Sequence, residues 1–353
     1  NRPSSNQSPP ARAGGFLFAS QKISPVLFSR RNFFITQQED ILITLNKLIF
    51  GNGAGSIKTM QHVVEACRGP MTRIMVGSIT KEPRIGNVGD VYYFDQKKKW
   101  SINSLGLPNI GIKAYAEGIL QAMSQTAHAH DKELWASVSG SSPDENAEMA
   151  SDCFRAGVDG VELNLSCPNV WGPGGRKAIP ALDWNLTYEI VAGIRGKVGP
   201  AAWDKIRPRI ALKLSPTQDE ELIKRLAIVA ANMGVGWITI GNTIPDQERL
   251  REDGKPALAF RSDDQDQVIK HKGGLAGSAV KTDNIAMVRV MCSLLPEQIR
   301  ITGAGGIFDA ADAYEHLDAG ASAFACTTGY LEYGNRVFDS ILPGLADILP
   351  DAA

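Results

Sequence analysis

From Leu48 onward, short apolar runs alternate with longer stretches in which apolar side chains return every three or four residues. The first pattern marks a strand buried on both faces and the second an amphipathic helix, so their alternation predicts successive βα units. Strands are predicted at 48–52, 73–79, 134–138, 160–165, 210–214, 236–240, 299–302 and 322–326. Helices are predicted at 59–66, 112–125, 146–156, 186–194, 219–232, 284–294 and 310–317, with further helical character in the C-terminal tail. Eight strands with helical crossovers imply a (β/α)8 TIM barrel with extended loops over its C-terminal mouth, an open doubly wound sheet being the alternative. Two connections are long: 86–99, with VYYFD and a lysine cluster, and the polar stretch 245–274. Either suits a lid across the mouth or a contact between subunits.

In a barrel the C-terminal strand ends share one mouth, and here they are rich in small and polar residues. They present Gly53, Ala54 and Gly55; Ser78; Ser139; Asn164 and Cys167; Lys213 and Ser215; Asn242 and Thr243; Gly303, Gly305 and Gly306; Thr327 and Thr328. The densest stretch is GVELNLSCPNVWGPGG, which starts at Gly160, ends a strand at Asn164, supplies Cys167 and returns Asn169 in a Gly/Pro loop. Carboxamides pair with ring N–H and C=O groups without adding charge, and a cysteine beside them is a fair base near neutrality. The competing use of Cys167 is as a small buried hydrophobe. SINSLGLPNIG places Asn103 and Asn109 on either side of a Gly/Pro turn that exposes backbone N–H groups and a carboxamide. Strand, glycine turn and helix in ITGAGGIF, followed by FACTTG, make an anion cradle where barrels commonly hold phosphate, against a purely structural tight turn. Lys213, on the apolar run ALKLS, needs an anionic partner, either an electron-rich cofactor ring or a carboxylate such as Glu162.

Composition narrows this further. The 353 residues are 43% hydrophobic with a net charge of -1, which suits one large domain or two modest ones and points away from nucleic acid. The five cysteines, Cys67, Cys153, Cys167, Cys292 and Cys326, have no CxxC or Cys/His spacing, so no metal is expected and a reducing compartment is inferred. No apolar run is long enough for a transmembrane helix. The first 38 residues hold five Arg and Lys and no Asp or Glu, a composition shared by transit segments and disordered extensions. Residues 1–47 are therefore read as an extension and 48–353 as the barrel domain. A cytoplasmic location follows, with a mitochondrial one if the leader is a transit peptide.

At this point the chain resembles the class 1 dihydroorotate dehydrogenases, over about Leu48 to Tyr330. The resemblance is carried by PRIGN from Pro83, SINSLGLPN from Ser101, NLSCPN from Asn164, ALKLS from Ala211, GNT from Gly241, GGLAG from Gly273 and GAGG from Gly303. NLSCPN and SINSLGLPN in this order are the specific motifs; the glycine runs agree with them. The resemblance implies an FMN enzyme of pyrimidine biosynthesis that oxidises dihydroorotate. The thiolate of Cys167 would take the C5 proton while hydride leaves C6 for flavin N5. Asn103, Asn164, Asn169 and Asn242 would hold the pyrimidine with Thr243 and the backbone of Leu105, Gly106 and Leu107. Ala54, Gly55, Ser78, Asn164, Lys213 and Gly277 would contact the flavin, and Gly305, Gly306, Thr327 and Thr328 its phosphate. A homodimer is implied, with fumarate or a partner redox subunit as electron acceptor. One departure stands out: the family usually ends its second strand with a substrate-binding lysine, and matching PRIGN puts Gly77 or its immediate neighbourhood there, with Lys81 and Arg84 the next cations along the chain. An uncharged dihydropyrimidine or related ene substrate is therefore the alternative, as is a non-catalytic FMN-binding protein. Thr243 after Asn242 also resembles the flavin domain of dihydropyrimidine dehydrogenases.

Overall fold

A computed structural model of the chain describes residues 48–166, 171–172, 175–176, 179–261 and 268–349. Eight parallel strands close into a barrel: β1 (Ile49–Asn52), β2 (Arg73–Ile79), β3 (Glu133–Val138), β4 (Gly160–Asn164), β5 (Ile210–Leu214), β6 (Trp237–Ile240), β7 (Arg300–Ala304) and β8 (Ala323–Cys326). Each strand is followed by a helix: α1 (Met60–Cys67), α2 (Leu120–His128), α3 (Pro143–Arg155), α4 (Trp184–Val198), α5 (Glu220–Met233), α6 (Lys281–Leu294), α7 (Ala310–Asp318) and α8 (Arg336–Ile348). This is the (β/α)8 barrel that the alternating pattern predicts, and closure of β1 on β8 excludes the open sheet.

Local chemistry explains where the helices start. The side chains of Thr59, Ser142, Asp219 and Asp309 each accept a hydrogen bond from a backbone N–H of the first turn beyond them, and Pro143 opens α3 at a position that needs no donor. One predicted helix is interrupted. The stretch 112–125 begins as Ile112–Ala114, passes through a π turn at Tyr115–Ile119, and only then becomes α2, because Gly118 takes φ 116° and cannot continue the helix.

Residues alternate along each strand between two cores. Leu134, Ala136, Val138, Val161, Leu163, Leu212, Ile238 and Ile240 face outward and pack under the helices. The other set fills the barrel: Met75, Trp135, Ala211, Trp237 and Ala323 pack together at its N-terminal end. Arg73 closes this floor, its guanidinium 4.0 Å from the Trp135 ring centroid and 4.3 Å from that of Trp237, with Nε 2.7 Å from Glu133. With one end plugged by packed side chains, only the C-terminal mouth can admit a ligand.

The two long connections build a single roof. A four-stranded antiparallel sheet runs in the order Ile244–Gln247, Gly273–Gly277, Trp100–Asn103, Tyr92–Asp95, and Ala259–Arg261 pairs with Val88–Asp90. The loop after β2 and the loop after β6 are thus hydrogen-bonded to each other, over a small core of Trp100, Ile102, Ala257, Leu258, Phe260 and Leu275. Ser101 meets Thr328 at 3.0 Å and Tyr92 donates to Glu332 at 2.6 Å, which fastens the roof to the helix Thr328–Tyr333 after β8.

Candidate active site

Beneath this roof the strand ends enclose a cavity walled by Ala54, Gly55, Ser78, Asn103, Leu105, Gly106, Leu107, Asn164, Lys213, Asn242, Thr243, Gly277, Gly305, Thr327 and Thr328. All of these were singled out from the sequence, and they come from seven strand ends and the roof. Gly306, which adjoins Gly305, is not on the wall; a Cβ there would run into the side chain of Lys281. Ser139 and Ser215 also stay off this cavity, Ser139 lining a separate surface depression with Thr80 and Glu145. Cys167 and Asn169 lie outside the described residues.

The carboxamides belong to one directed chain of hydrogen bonds. Asn242 Nδ2 donates to Asn164 Oδ1 at 3.2 Å, and Asn164 Nδ2 donates to Ser78 Oγ at 2.8 Å. Ser78 and Ser137 hydroxyls are 3.2 Å apart, and Ser137 Oγ donates to Glu162 Oε1 at 3.0 Å. A carboxylate only accepts, so Ser137 spends its proton on Glu162 and Ser78 donates to Ser137. Every donor in the chain therefore points down the barrel toward Glu162, which fixes which way both amides face the cavity. Lys213 Nζ lies 3.8 Å from the same Glu162 oxygen, both side chains almost fully buried. The ammonium thus has its carboxylate partner below and the cavity above.

The glycine turn after β7 is held from behind. Gly305 has φ 93° and a Cβ there would meet Asn284 Nδ2, while Asn284 Nδ2 donates to the Ala304 carbonyl at 2.9 Å. His316 is fully buried, and burial lowers its pKa, so the neutral ring donates from Nε2 to the Gly305 carbonyl at 3.1 Å. At the other end of the motif list, Asn109 is structural. Its Oδ1 accepts from the Thr80 and Gly111 N–H groups and its Nδ2 donates to Thr80 and to the Leu107 carbonyl. Asn103, by contrast, faces the cavity.

With this geometry in hand, comparison with known proteins is decisive. The family model described as dihydroorotate dehydrogenase matches residues 43–349. The chain belongs to the dihydroorotate dehydrogenase family. Dihydroorotate dehydrogenase A (fumarate) of Lactococcus lactis subsp. lactis is 30% identical over 276 residues, 77% of this chain and 80% of that protein. Dihydroorotate dehydrogenase (fumarate) of Saccharomyces cerevisiae is 30% identical over 305 residues, 85% of this chain and 89% of that protein. Among solved structures, that of the Eimeria tenella enzyme in complex with ferulenol superposes with a TM-score of 0.66 at 21% identity, covering 85% of this chain and 81% of that one, a likeness of fold.

The cavity wall also includes Lys58, Tyr92, Ser101, Gly241, Ala276, Val280 and Leu331, to which the sequence assigns no role of their own. Tyr92 sits in the VYYFD string noted only as part of an excursion; burial and its bond to Glu332 raise its pKa, so it stays a protonated donor. Lys58 follows the Gly53–Gly55 run in the β1–α1 loop, and its signal was a lone cation among small residues. Of the two cations that follow Gly77 in sequence, Lys81 is exposed and pairs with Glu148 at 3.1 Å, and Arg84 Nε donates to the Gly106 carbonyl at 2.8 Å; neither lines the cavity. Among the described residues no group of His, Cys, Asp and Glu is disposed to hold a metal, and no helix is long and apolar enough to cross a membrane.

Proposed function

We propose that the protein oxidises dihydroorotate to orotate with FMN as hydride acceptor and fumarate as final oxidant, giving succinate. The observation that carries this reading is the charge of the cavity: among the described residues its wall holds two lysines, Lys58 and Lys213, and no carboxylate. Such a wall suits a flavin phosphate together with a carboxylate-bearing pyrimidine, and it offers less to an uncharged dihydropyrimidine. Relatives named for dihydroorotate and fumarate support the same assignment.

The residues present fit FMN. A Cβ at Gly55 would meet no protein atom within 4 Å, so the wall is open there, and Gly305, Thr327 and Thr328 offer backbone and hydroxyl groups for a phosphate. When bound, the flavin supplies the hydride acceptor. The chain does the rest. Asn103, Asn164, Asn169 and Asn242 hold the ring by complementary amide contacts, and the Leu105–Leu107 backbone edges it. Thr243 Oγ1 is buried and has no protein partner, leaving a hydroxyl for the ligand. The Sγ of Cys167 takes the C5 proton of the substrate, and Lys213 sets positive charge against the redox centre while Glu162 moderates it.

The same reading includes a cytoplasmic homodimer. Ile85, Val88 and Val268 are 91%, 67% and 63% exposed on or beside the roof, apolar surface of the kind a second subunit covers. Steady-state assay of FMN-loaded protein with dihydroorotate and fumarate tests the activity: equimolar orotate and succinate are expected, and no turnover with fumarate, quinone or dye acceptors rejects it.

A further inference from the structure

Lys58 is held in place from three sides. Its backbone N–H donates to His62 Nδ1 at 3.3 Å, its carbonyl accepts from Tyr115 Oη at 2.7 Å, and its Nζ donates to the Pro108 carbonyl at 2.9 Å. Pro108 directly follows Leu107, so the ammonium is pinned beside the segment Leu105–Leu107 that edges the cavity. An ammonium has three protons, and the Pro108 carbonyl uses one. Among the described residues no carboxylate pairs with Lys58, whereas Lys213 across the cavity already faces Glu162. Burial without such a partner pulls the Lys58 pKa down to about 8. A half-buried cation kept in a cavity without a counter-charge has its counter-charge brought by the ligand.

The end of β2 cannot supply this cation. Gly77 has φ 121°, and a Cβ there would run into the Ser137 carbonyl and lie 2.9 Å from the Ile79 nitrogen. No side chain fits at Gly77, and its neighbour on the cavity wall is the uncharged Ser78. Charge has to arrive from another loop, and the β1–α1 loop delivers Lys58.

We propose that Lys58 is the specificity-determining cation of the site, its ammonium receiving the carboxylate of the pyrimidine substrate at the edge formed by Leu105–Leu107. This deepens the reading of dihydroorotate as substrate and rests on it. Charge-assisted hydrogen bonds made away from bulk water are the strong ones, so the contact fixes the orientation of the ring and rejects analogues without the carboxylate. Lys58 thereby couples two loops that are distant in sequence, since it reaches the substrate only while it also holds Pro108.

The test uses FMN-loaded protein and two ligands, orotate and its uncharged methyl ester, titrated by the shift of the flavin spectrum in parent, Lys58→Met and Lys58→Arg. Lys58→Met is expected to weaken orotate and raise the dihydroorotate KM by about 10- to 100-fold, with little change for the methyl ester. Lys58→Arg is expected to recover part of the loss, and flavin content to stay unchanged in both variants. Equal orotate affinity in Lys58→Met and parent overturns the assignment and leaves the function standing. Equal losses for orotate and methyl ester overturn it too, as the mark of a merely structural lysine. A parent that neither binds orotate nor oxidises dihydroorotate contradicts the functional reading itself, and the assignment with it.

Discussion

Asn242 and Asn164 meet end to end at the barrel mouth, the Nδ2 of the first donating to the Oδ1 of the second at 3.2 Å. That contact ties the loop after β6 to the end of β4 and starts the hydrogen-bond chain through Ser78 and Ser137 to Glu162. The chain orients two substrate-facing amides from below, and two of its members, Ser137 and Glu162, stand off the cavity wall. Ser137 is buried in the barrel and off the cavity wall.

Ser137→Ala therefore separates positioning from contact. Removing this hydroxyl breaks the link to Glu162 and frees Ser78 to turn, so kcat/KM for dihydroorotate is expected to fall about tenfold while flavin content and melting temperature change little. Steady-state kinetics beside a thermal melt checks it.

Burial holds the pKa of Lys58 at about 8, below the ordinary lysine value of 10.5. Capture of the carboxylate needs the ammonium, so orotate affinity is expected to be flat below pH 8 and to decline above it. Stability runs the other way. Between the two pKa values the unfolded chain binds more protons than the native one, so stability gains with rising pH, and below pH 8 the full cost of burying the charge remains. Lys58→Met should thus leave ligand-free protein at neutral pH as stable as the parent or about 2 kcal/mol more so. Denaturant melts of the two proteins at pH 7 and pH 10 check both signs.

Cys167→Ser is expected to slow flavin reduction near neutral pH, because a hydroxyl needs more help than a thiol to act as base. Single-turnover rates across pH are the measurement. Parent and variant reducing flavin at equal rates throughout would rule out proton removal by this sulfur.

Gly305→Ala should lose flavin. The turn has φ 93°, and the new methyl would press on Asn284 Nδ2 and come within 2.9 Å of Val280 Cγ2, so the turn has to shift. Flavin retained after gel filtration is expected to drop severalfold relative to parent.

Much of this architecture is written in local patterns. Strands such as β2 and β5 are short apolar runs, and alternation along β4 puts Glu162 and Asn164 on the inner face beside Lys213 of β5. What escaped reading depends on distant partners. The roof pairs Gly274 with Asn103 and Leu275 with Ile102, a contact between segments far apart in sequence that no local period encodes. The break at Gly118 was missed because its neighbours keep helical spacing and a single glycine is tolerated in many helices. Asn103 and Asn109 flank one turn that exposes a single carboxamide, and only the positions of Thr80 and Gly111 show that Asn109 is the one spent inside the protein. Lys58 shows in the sequence only as a lone cation after a run of small residues, and its meaning comes from Pro108 and from the absence of a carboxylate beside it among the described residues.

The most direct test of the central claim is anaerobic stopped-flow mixing of FMN-loaded protein with dihydroorotate and, separately, with dihydrouracil. A cavity walled by two lysines and oriented amides predicts rapid bleaching of the flavin by dihydroorotate and little by dihydrouracil. Bleaching by dihydrouracil alone, or by neither compound, would contradict it.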